Sequence, residues 1–345
     1  MTWHVRAVGL PYGEDPGDWW IDESGEMHDE PIADADDLPG EFVLPGLADA
    51  HAHPAIGADG VTPLAWAKQQ TADWGDIGVC LIRDVGSPGG VTLDITPTAG
   101  SPLYVSAGRF LAPAGRYFPE LLVEPVEVEE LTAAAVAEVD KGATWVKVIA
   151  DFPNFEAGTG PEPNYPLDVI AAMIEAVHAK GARVAAHCTI DNVDALVAAG
   201  IDSIEHGSGL TEDVISDMAA RGTAWTPTLS AMTALRDSPD TPAAIRDRIR
   251  ESCERLGDLL PTAVMLGVPV LAGTDTYGPI SKEVALLAEL GLTPTQALAA
   301  ASVWPRQYLG VTGRADIVTY AHDPREDPSQ LDNPTAVVVD GVRRR

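Results

Sequence analysis

Short apolar or β-branched runs alternate with amphipathic stretches along most of this chain. Runs at 42–48, 79–84, 103–106, 145–150, 183–186, 203–205, 224–228 and 269–272 read as strands. The stretches 62–71, 127–140, 167–179, 192–198, 211–221, 243–266 and 281–290 read as helices, with apolar residues recurring at three and four in 132–140 and 167–177. Gly142, Gly181, Gly200, Gly222 and Gly267 each follow the last periodic residue of a helix and precede a strand, as helix stops do. The unit after 79–84 is the weak one, because 86–100 is rich in Gly, Pro and Thr. Eight strands alternating with helices predict an α/β fold, a (β/α)8 TIM barrel over about 45–310. An open doubly wound sheet is the alternative; even spacing and the lack of a Gly-x-Gly-x-x-Gly turn argue against it. The flanks 3–8, 18–22, 316–320 and 336–340 alternate without helices between them, and predict a small antiparallel sheet joining both ends.

Composition narrows the choice of partner. The chain has 345 residues, with 52 acidic against 22 basic and a net charge of −30. Such a surface repels phosphate backbones and anionic membranes, leaving a small molecule as the expected partner, with homo-oligomerisation open. No apolar run approaches the roughly 20 residues that span a bilayer. The first residues run straight into a strand-like alternation, and Cys80, Cys188 and Cys253 are odd in number and scattered, so a reducing, cytoplasmic compartment is expected.

In a barrel of this kind, chemistry collects at the C-terminal ends of the strands. The first strand runs into Asp49-Ala50-His51-Ala52-His53, whose two histidines share one side of an extended chain. The fifth ends at His187, the sixth at His206 and the eighth at Asp275. Four of eight histidines and one aspartate thus fall on one rim. Taken singly they read as solvated or hydrogen-bonded core histidines; taken together, imidazoles and a carboxylate are a ligand set for Zn²⁺ or a similar divalent ion. Lys147, one of five lysines, sits inside the apolar strand Trp145-Val146-Lys147-Val148-Ile149. It is a snorkelling edge lysine, a partner of Asp275 or Asp151, or an amine of depressed pKa able to take up CO₂ as a metal-bridging carbamate.

These residues carry a family resemblance. The chain resembles the amidohydrolase superfamily of metal-dependent hydrolases, especially its imidazolonepropionase-like and Xaa-Pro dipeptidase-like members. The matching stretches are Phe42-Val43-Leu44-Pro45-Gly46-Leu47-Ala48-Asp49-Ala50-His51-Ala52-His53-Pro54, Val146-Lys147-Val148, Ala185-Ala186-His187-Cys188, Ser203-Ile204-Glu205-His206-Gly207, Trp225-Thr226-Pro227-Thr228-Leu229 and Leu271-Ala272-Gly273-Thr274-Asp275, followed by Gly313-Arg314-Ala315-Asp316-Ile317-Val318. The resemblance implies a barrel over 45–310 and a small β-sandwich from 1–44 and 311–345. It implies two zinc ions, with one ion or another divalent metal as alternatives. His51 and His53 then hold the more buried ion, Lys147 is the bridging and usually carboxylated lysine, and His187 and His206 hold the second ion. Asp275 binds metal and moves the proton of water activated at the centre.

The chain also departs from the family pattern. Strand four runs into Ala150-Asp151-Phe152-Pro153-Asn154-Phe155 instead of Thr-Gly-Gly, and Pro113–Pro119 replaces a histidine-bearing loop, which speaks against imidazolonepropionase activity itself. The expected reaction is hydrolysis of an amide C–N bond in a dipeptide or N-acyl amino acid. The alternatives are a lactone, carbamate or aryl-urea substrate, a mononuclear deaminase, or a barrel without catalysis. Phe110, Phe118, Phe152 and Phe155 overhang the rim as loop packing or as a wall for an apolar substrate. Tyr117 is placed to donate to a developing oxyanion, and Arg109 or Arg116 to hold a substrate carboxylate, unless they are surface charges. Cys188 reads as core packing.

Overall fold

The computed structural model describes the whole chain except residues 25, 58–59, 155–156 and 312, and the side chain of Ala244. Seven parallel strands form two arcs: β1 (Leu47–Ala52), β2 (Val79–Asp84) and β3 (Leu103–Ser106) in one, and β4 (Trp145–Ile149), β5 (Arg183–Cys188), β6 (Ser203–His206) and β7 (Ala224–Thr226) in the other. Most of their residues are apolar on both faces because helices cover the outside and a packed interior fills the inside, and the exceptions, among them Arg83, Lys147 and Glu205, are buried with them. The expected eighth strand is reduced to a bridge at Val270. Leu271 N–H nonetheless donates to Trp225 O (2.9 Å) on β7, and Ala50 N–H on β1 donates to Ala272 O (2.8 Å). Between the other arc ends, Thr144 N–H donates to Ser106 O (3.3 Å), and Phe110–Leu111 pairs with β4. The architecture is a TIM-barrel-like α/β fold.

Helices follow the periodicity. Leu167–Ala179 buries Ile170, Met173, Ile174 and Val177 on one stripe, and Thr211 caps the helix Glu212–Arg221, which ends at left-handed Gly222. The stretch read as one strand over 42–48 divides in two. Phe42–Pro45 pairs antiparallel with Ile317–Tyr320, whereas Leu47–Ala52 enters the barrel-like part. The switch is at Gly46, where a Cβ would lie 2.5 Å from Cys80 Sγ.

Both ends of the chain meet in one eight-stranded sheet. Its order is Val342–Arg343, Ala336–Val339, Ile317–Tyr320, Phe42–Pro45, Trp3–Gly9, Pro16–Ile21 and Met27–His28, with Asp36–Asp37 beside Trp3–Gly9. Along Ala336–Val339, Val337 and Val339 join the main core while Ala336 and Val338 join a second core with Trp3, Val5 and Ile317. Period-two alternation therefore serves two cores at once. No helix among the described residues is long and apolar enough to cross a membrane.

The helix Leu229–Asp237, which the sequence reading leaves unassigned, begins without a side-chain cap of its own. Glu283 supplies one from the helix Ile280–Glu289, accepting from Leu229 N (2.9 Å) and Ser230 N (2.7 Å). Burial, aided by the charge of Asp49, raises the Glu283 carboxyl to about 7 against those hydrogen bonds. A raised carboxyl pKa stabilises the fold below the unfolded value near 4.5, and the contribution disappears as pH rises through about 7. Thermal unfolding of wild type and Glu283→Gln between pH 4.5 and 8 is therefore expected to show wild type losing roughly 3 kcal/mol relative to the variant. A pH-independent difference would remove this assignment.

Candidate metal centre

The ends of β1, β5 and β6 and the loop after residue 272 bring His51, His53, His187, His206 and Asp275 together. Ring centroids lie 5.2 Å apart for His51–His53 and for His51–His206, and 4.5 Å apart for His187–His206. Ligand atoms of His51, His206 and Asp275 all fall within 4.8 Å of one another.

The protons of three histidines are assigned by their partners. His51 Nδ1 lies 2.6 Å from Glu205 Oε2 and His53 Nδ1 lies 2.7 Å from Gly86 O; these oxygens only accept, so each Nδ1 carries a proton. Thr228 Oγ1 donates to Pro227 O (2.8 Å) and so accepts from His206 Nδ1 (2.7 Å). All three rings therefore turn Nε2 away from their anchors. Asp275 Oδ1 stands 3.5 Å from His51 Nε2 and 3.2 Å from His53 Nε2. Two lone-pair atoms at such a distance need a cation between them. In the metal-free chain a proton serves: burial opposes charge on His53, but Asp275 and Asp84 outweigh it and hold its pKa near about 9. Burial drives His51, His187 and His206 the other way, well below the usual histidine value, as neutral ligands require.

Backbone geometry serves the same cluster. His206 (φ 69°), Thr228 (φ 51°) and Asp275 (φ 50°) are non-glycine residues in the left-handed region, a cost that the surrounding packing must hold in place. Asp49 accepts from Thr274 Oγ1 (2.6 Å), Thr274 N and His51 N (both 3.1 Å), and Asp275 N–H donates to His51 O (2.8 Å), tying the Asp275 turn to β1. Gly273 is required there, since a Cβ would meet His51 Cβ at 2.5 Å.

Lys147 is 1% exposed, and its Nζ has no hydrogen-bond partner among the described residues. It is too buried to be a snorkelling edge lysine and makes no ion pair among the described residues: Asp151 is instead taken up by Thr189 N (2.9 Å) and Thr189 Oγ1 (2.5 Å). Burial lowers its pKa to about 8. An orphaned amine beside three directed imidazoles and a carboxylate is a donor set that fits divalent ions.

Beneath the cluster, the buried Arg83 donates from Nη2 to Glu205 Oε1 (2.9 Å) and to Thr226 Oγ1 (3.0 Å), and Ser203 Oγ donates to Glu205 Oε1 (2.6 Å). The sequence reading passes over Arg83 and Glu205, although a charge inside Leu81-Ile82-Arg83 carries the signal that marks Lys147. Glu205→Gln is expected to weaken divalent-metal affinity about 10- to 100-fold by freeing the His51 ring, read by competition against a chelator. Unchanged affinity would remove Glu205 from the site.

The remaining candidates divide. Tyr117 and Phe152 are buried beside His187, at centroid distances of 6.2 and 5.7 Å, and pack with Phe110 and Phe118. Burial pushes the Tyr117 hydroxyl well above its usual value, leaving it a neutral donor. Phe155 lies outside the described residues. Arg109 and Arg116 are not brought to the histidines as carboxylate ligands. Arg109 is held by Glu138 (3.0 Å) and Glu124 (2.8 Å), and Arg116 by Asn164 Oδ1 and Glu162 O (2.8 Å each), where it fastens the hairpin of Asp151–Asn154 and Thr159–Pro163. Cys188 is buried, with its thiol pushed well up by burial, as core packing requires.

Residues 42–343 match the model of the amidohydrolase family. The chain belongs to that family. Hydrolytic activity follows from membership in this amidohydrolase family, and the substrate does not. An uncharacterized protein of Mycobacterium tuberculosis is 37% identical over 353 residues, covering 98% of this amidohydrolase and 94% of the relative. Among solved structures, a Xaa-Pro dipeptidase with methionine bound in its active site is similar at a TM-score of 0.83 and 22% identity, with 99% of each chain covered. The ochratoxinase of A. niger gives a TM-score of 0.83 at 20% identity, covering 99% of this chain and 95% of that one. At these identities the likeness is one of fold.

Proposed function

We propose that this amidohydrolase cleaves an amide C–N bond of a small molecule, such as a dipeptide or an N-acyl amino acid, at a divalent-metal centre, most simply two zinc ions. The observation that carries this reading is the shared direction of the Nε2 atoms of His51, His53 and His206, each with its Nδ1 proton committed elsewhere. His51 and His53 would hold one ion, His187 and His206 the other, and Asp275 would reach the first. Lys147 would bridge the two once its amine has taken up CO₂ and released a proton, which supplies its missing partner. In this reading the eight strand segments act as one closed barrel. Bound there, a divalent ion supplies Lewis acidity, polarising the scissile carbonyl and making water a stronger acid near neutral pH.

The chain's own residues do the rest. Asp275 takes the proton from water and passes it to the leaving nitrogen. Tyr117 donates a hydrogen bond from its hydroxyl to the carbonyl oxygen as charge develops there and keeps its proton. Phe110, Phe118 and Phe152 exclude water and receive the apolar part of the substrate.

Metal quantification on the purified chain, followed by a hydrolysis screen over dipeptides, N-acyl amino acids, lactones and aryl ureas, tests the proposal. One or two equivalents of divalent metal, and turnover that is lost with chelator and returns with zinc, are expected. A chain that takes up no metal would overturn it.

A further inference from the structure

The three histidine rings with an assigned proton differ in what holds their anchors. Glu205 anchors His51 and is itself gripped by Arg83 and Ser203, and the anchor of His53 is the backbone carbonyl of Gly86. His206 depends on a single side chain. Among the described residues its Nδ1 reaches no acceptor but Thr228 Oγ1. Thr228 sits at φ 51°, ψ 48°, in the left-handed region that a β-branched residue rarely enters. If that turn relaxed, Oγ1 would leave the His206 ring, so the orientation of His206 is only as secure as whatever holds Thr228 in place.

The holding group comes from another helix. Thr228 directly precedes the helix Leu229–Asp237, whose first two residues, Leu229 and Ser230, are fully buried. Glu283 accepts both of their N–H groups, at 2.9 and 2.7 Å. Lys282, beside it on the helix Ile280–Glu289, supplies the opposite polarity: its Nζ donates to Ser230 O (3.3 Å) and to Tyr277 O (3.5 Å). Asp275 stands five residues before Ile280, where that helix begins. The pair Lys282–Glu283 therefore clips the exit of β7 to the turn that carries Asp275.

A helix start buried with its N–H groups unpaired is unfavourable, so loss of the Glu283 carboxylate forces that start to rearrange. The residue with strain to release there is Thr228. We infer that Glu283 is a positioning residue of the metal centre: by holding Leu229 and Ser230 it keeps Thr228 in its left-handed turn, and so keeps His206 Nε2 facing the second ion. His51 and His53 are independent of it, since Glu205 and the Gly86 carbonyl make no hydrogen bond to Glu283 among the described residues. The part played by the second ion rests on the hydrolase reading given above; the orientation of the ring does not.

The test compares the full chain with Glu283→Gln and Thr228→Ala at pH 8, above the Glu283 value of about 7. Glutamine keeps the size of the side chain, but its amide nitrogen cannot accept, so one of the two N–H groups loses its partner. In the metal-free chain, nitrogen NMR of isotope-labelled histidines reads which ring nitrogen carries the proton. Wild type is expected to show His206 protonated on Nδ1, and both variants a mixture of tautomers there, with His51 and His53 unchanged. Zinc competition against a chelator should show one ion weakened about 10-fold in Glu283→Gln and the other within about twofold of wild type. The double variant should lose no more than Thr228→Ala alone, because Glu283 acts through Thr228. An unchanged His206 tautomer in Glu283→Gln, equal weakening of both ions, or additive losses in the double variant overturns the inference. A His206 tautomer that depends on Glu283, in a chain that takes up no zinc, upholds the positioning role and overturns the hydrolase reading. Zinc uptake and amide turnover with a tautomer indifferent to Glu283 do the reverse.

Discussion

Asp275→Asn is expected to lower kcat by about three orders of magnitude while leaving the unfolding midpoint within a few degrees of wild type. The two halves of that result have separate causes. Asp275 adopts φ 50°, a conformation that Asn tolerates nearly as well as Asp, so the backbone and its N–H bond to His51 O survive. The amide oxygen still accepts a hydrogen bond, but the amide cannot take a proton from water or deliver one to a leaving nitrogen. Steady-state kinetics with metal content measured on the same preparation separates a lost proton carrier from a lost ligand. Activity equal to wild type would take Asp275 out of the mechanism.

Lys147→Met should move stability and function in opposite directions. The ammonium is buried, finds no hydrogen-bond partner among the described residues and has its pKa lowered by burial to about 8. Relative to an exposed lysine that shift corresponds to a cost of roughly 3 kcal/mol at neutral pH in the metal-free fold. Methionine matches the length of the side chain without the charge, so the metal-free variant is expected to unfold at higher denaturant concentration. The same change deletes the amine proposed to take up CO₂, so on that reading the metal-loaded variant should hold less metal and lose most turnover. A variant that is both less stable without metal and fully active would show that Lys147 is a packing residue.

The parts of the site that were legible in the sequence are those that strand position announces. His51, His53, His187, His206 and Asp275 each close a predicted strand, and in such a fold strand ends converge. Lys147 was legible because an isolated charge in an apolar run must be explained. Glu205 obeys the same rule, but its part as the anchor of the His51 ring depends on a contact that only the fold makes. Arg109 and Arg116 show the opposite failure. An arginine near a rim is free to bind substrate only if no carboxylate or carbonyl reaches it first, and Glu138, Glu124, Asn164 and Glu162 come from other loops and helices.

What the sequence by itself determined is local and periodic. Apolar spacing, glycine stops and caps set the alternation of strands and helices, because those preferences act within a few residues. It also set the net charge of −30. The tertiary structure decided what depends on distant pairs. It split the 42–48 stretch between two sheets because Ile317–Tyr320 captured its first half. It chose the tautomer of His51 through Glu205, 154 residues away, and that of His206 through Thr228. It left Lys147 Nζ without a hydrogen-bond partner among the described residues. A proton's position or a missing partner is a property of the space between segments, and spacing along one segment does not encode it.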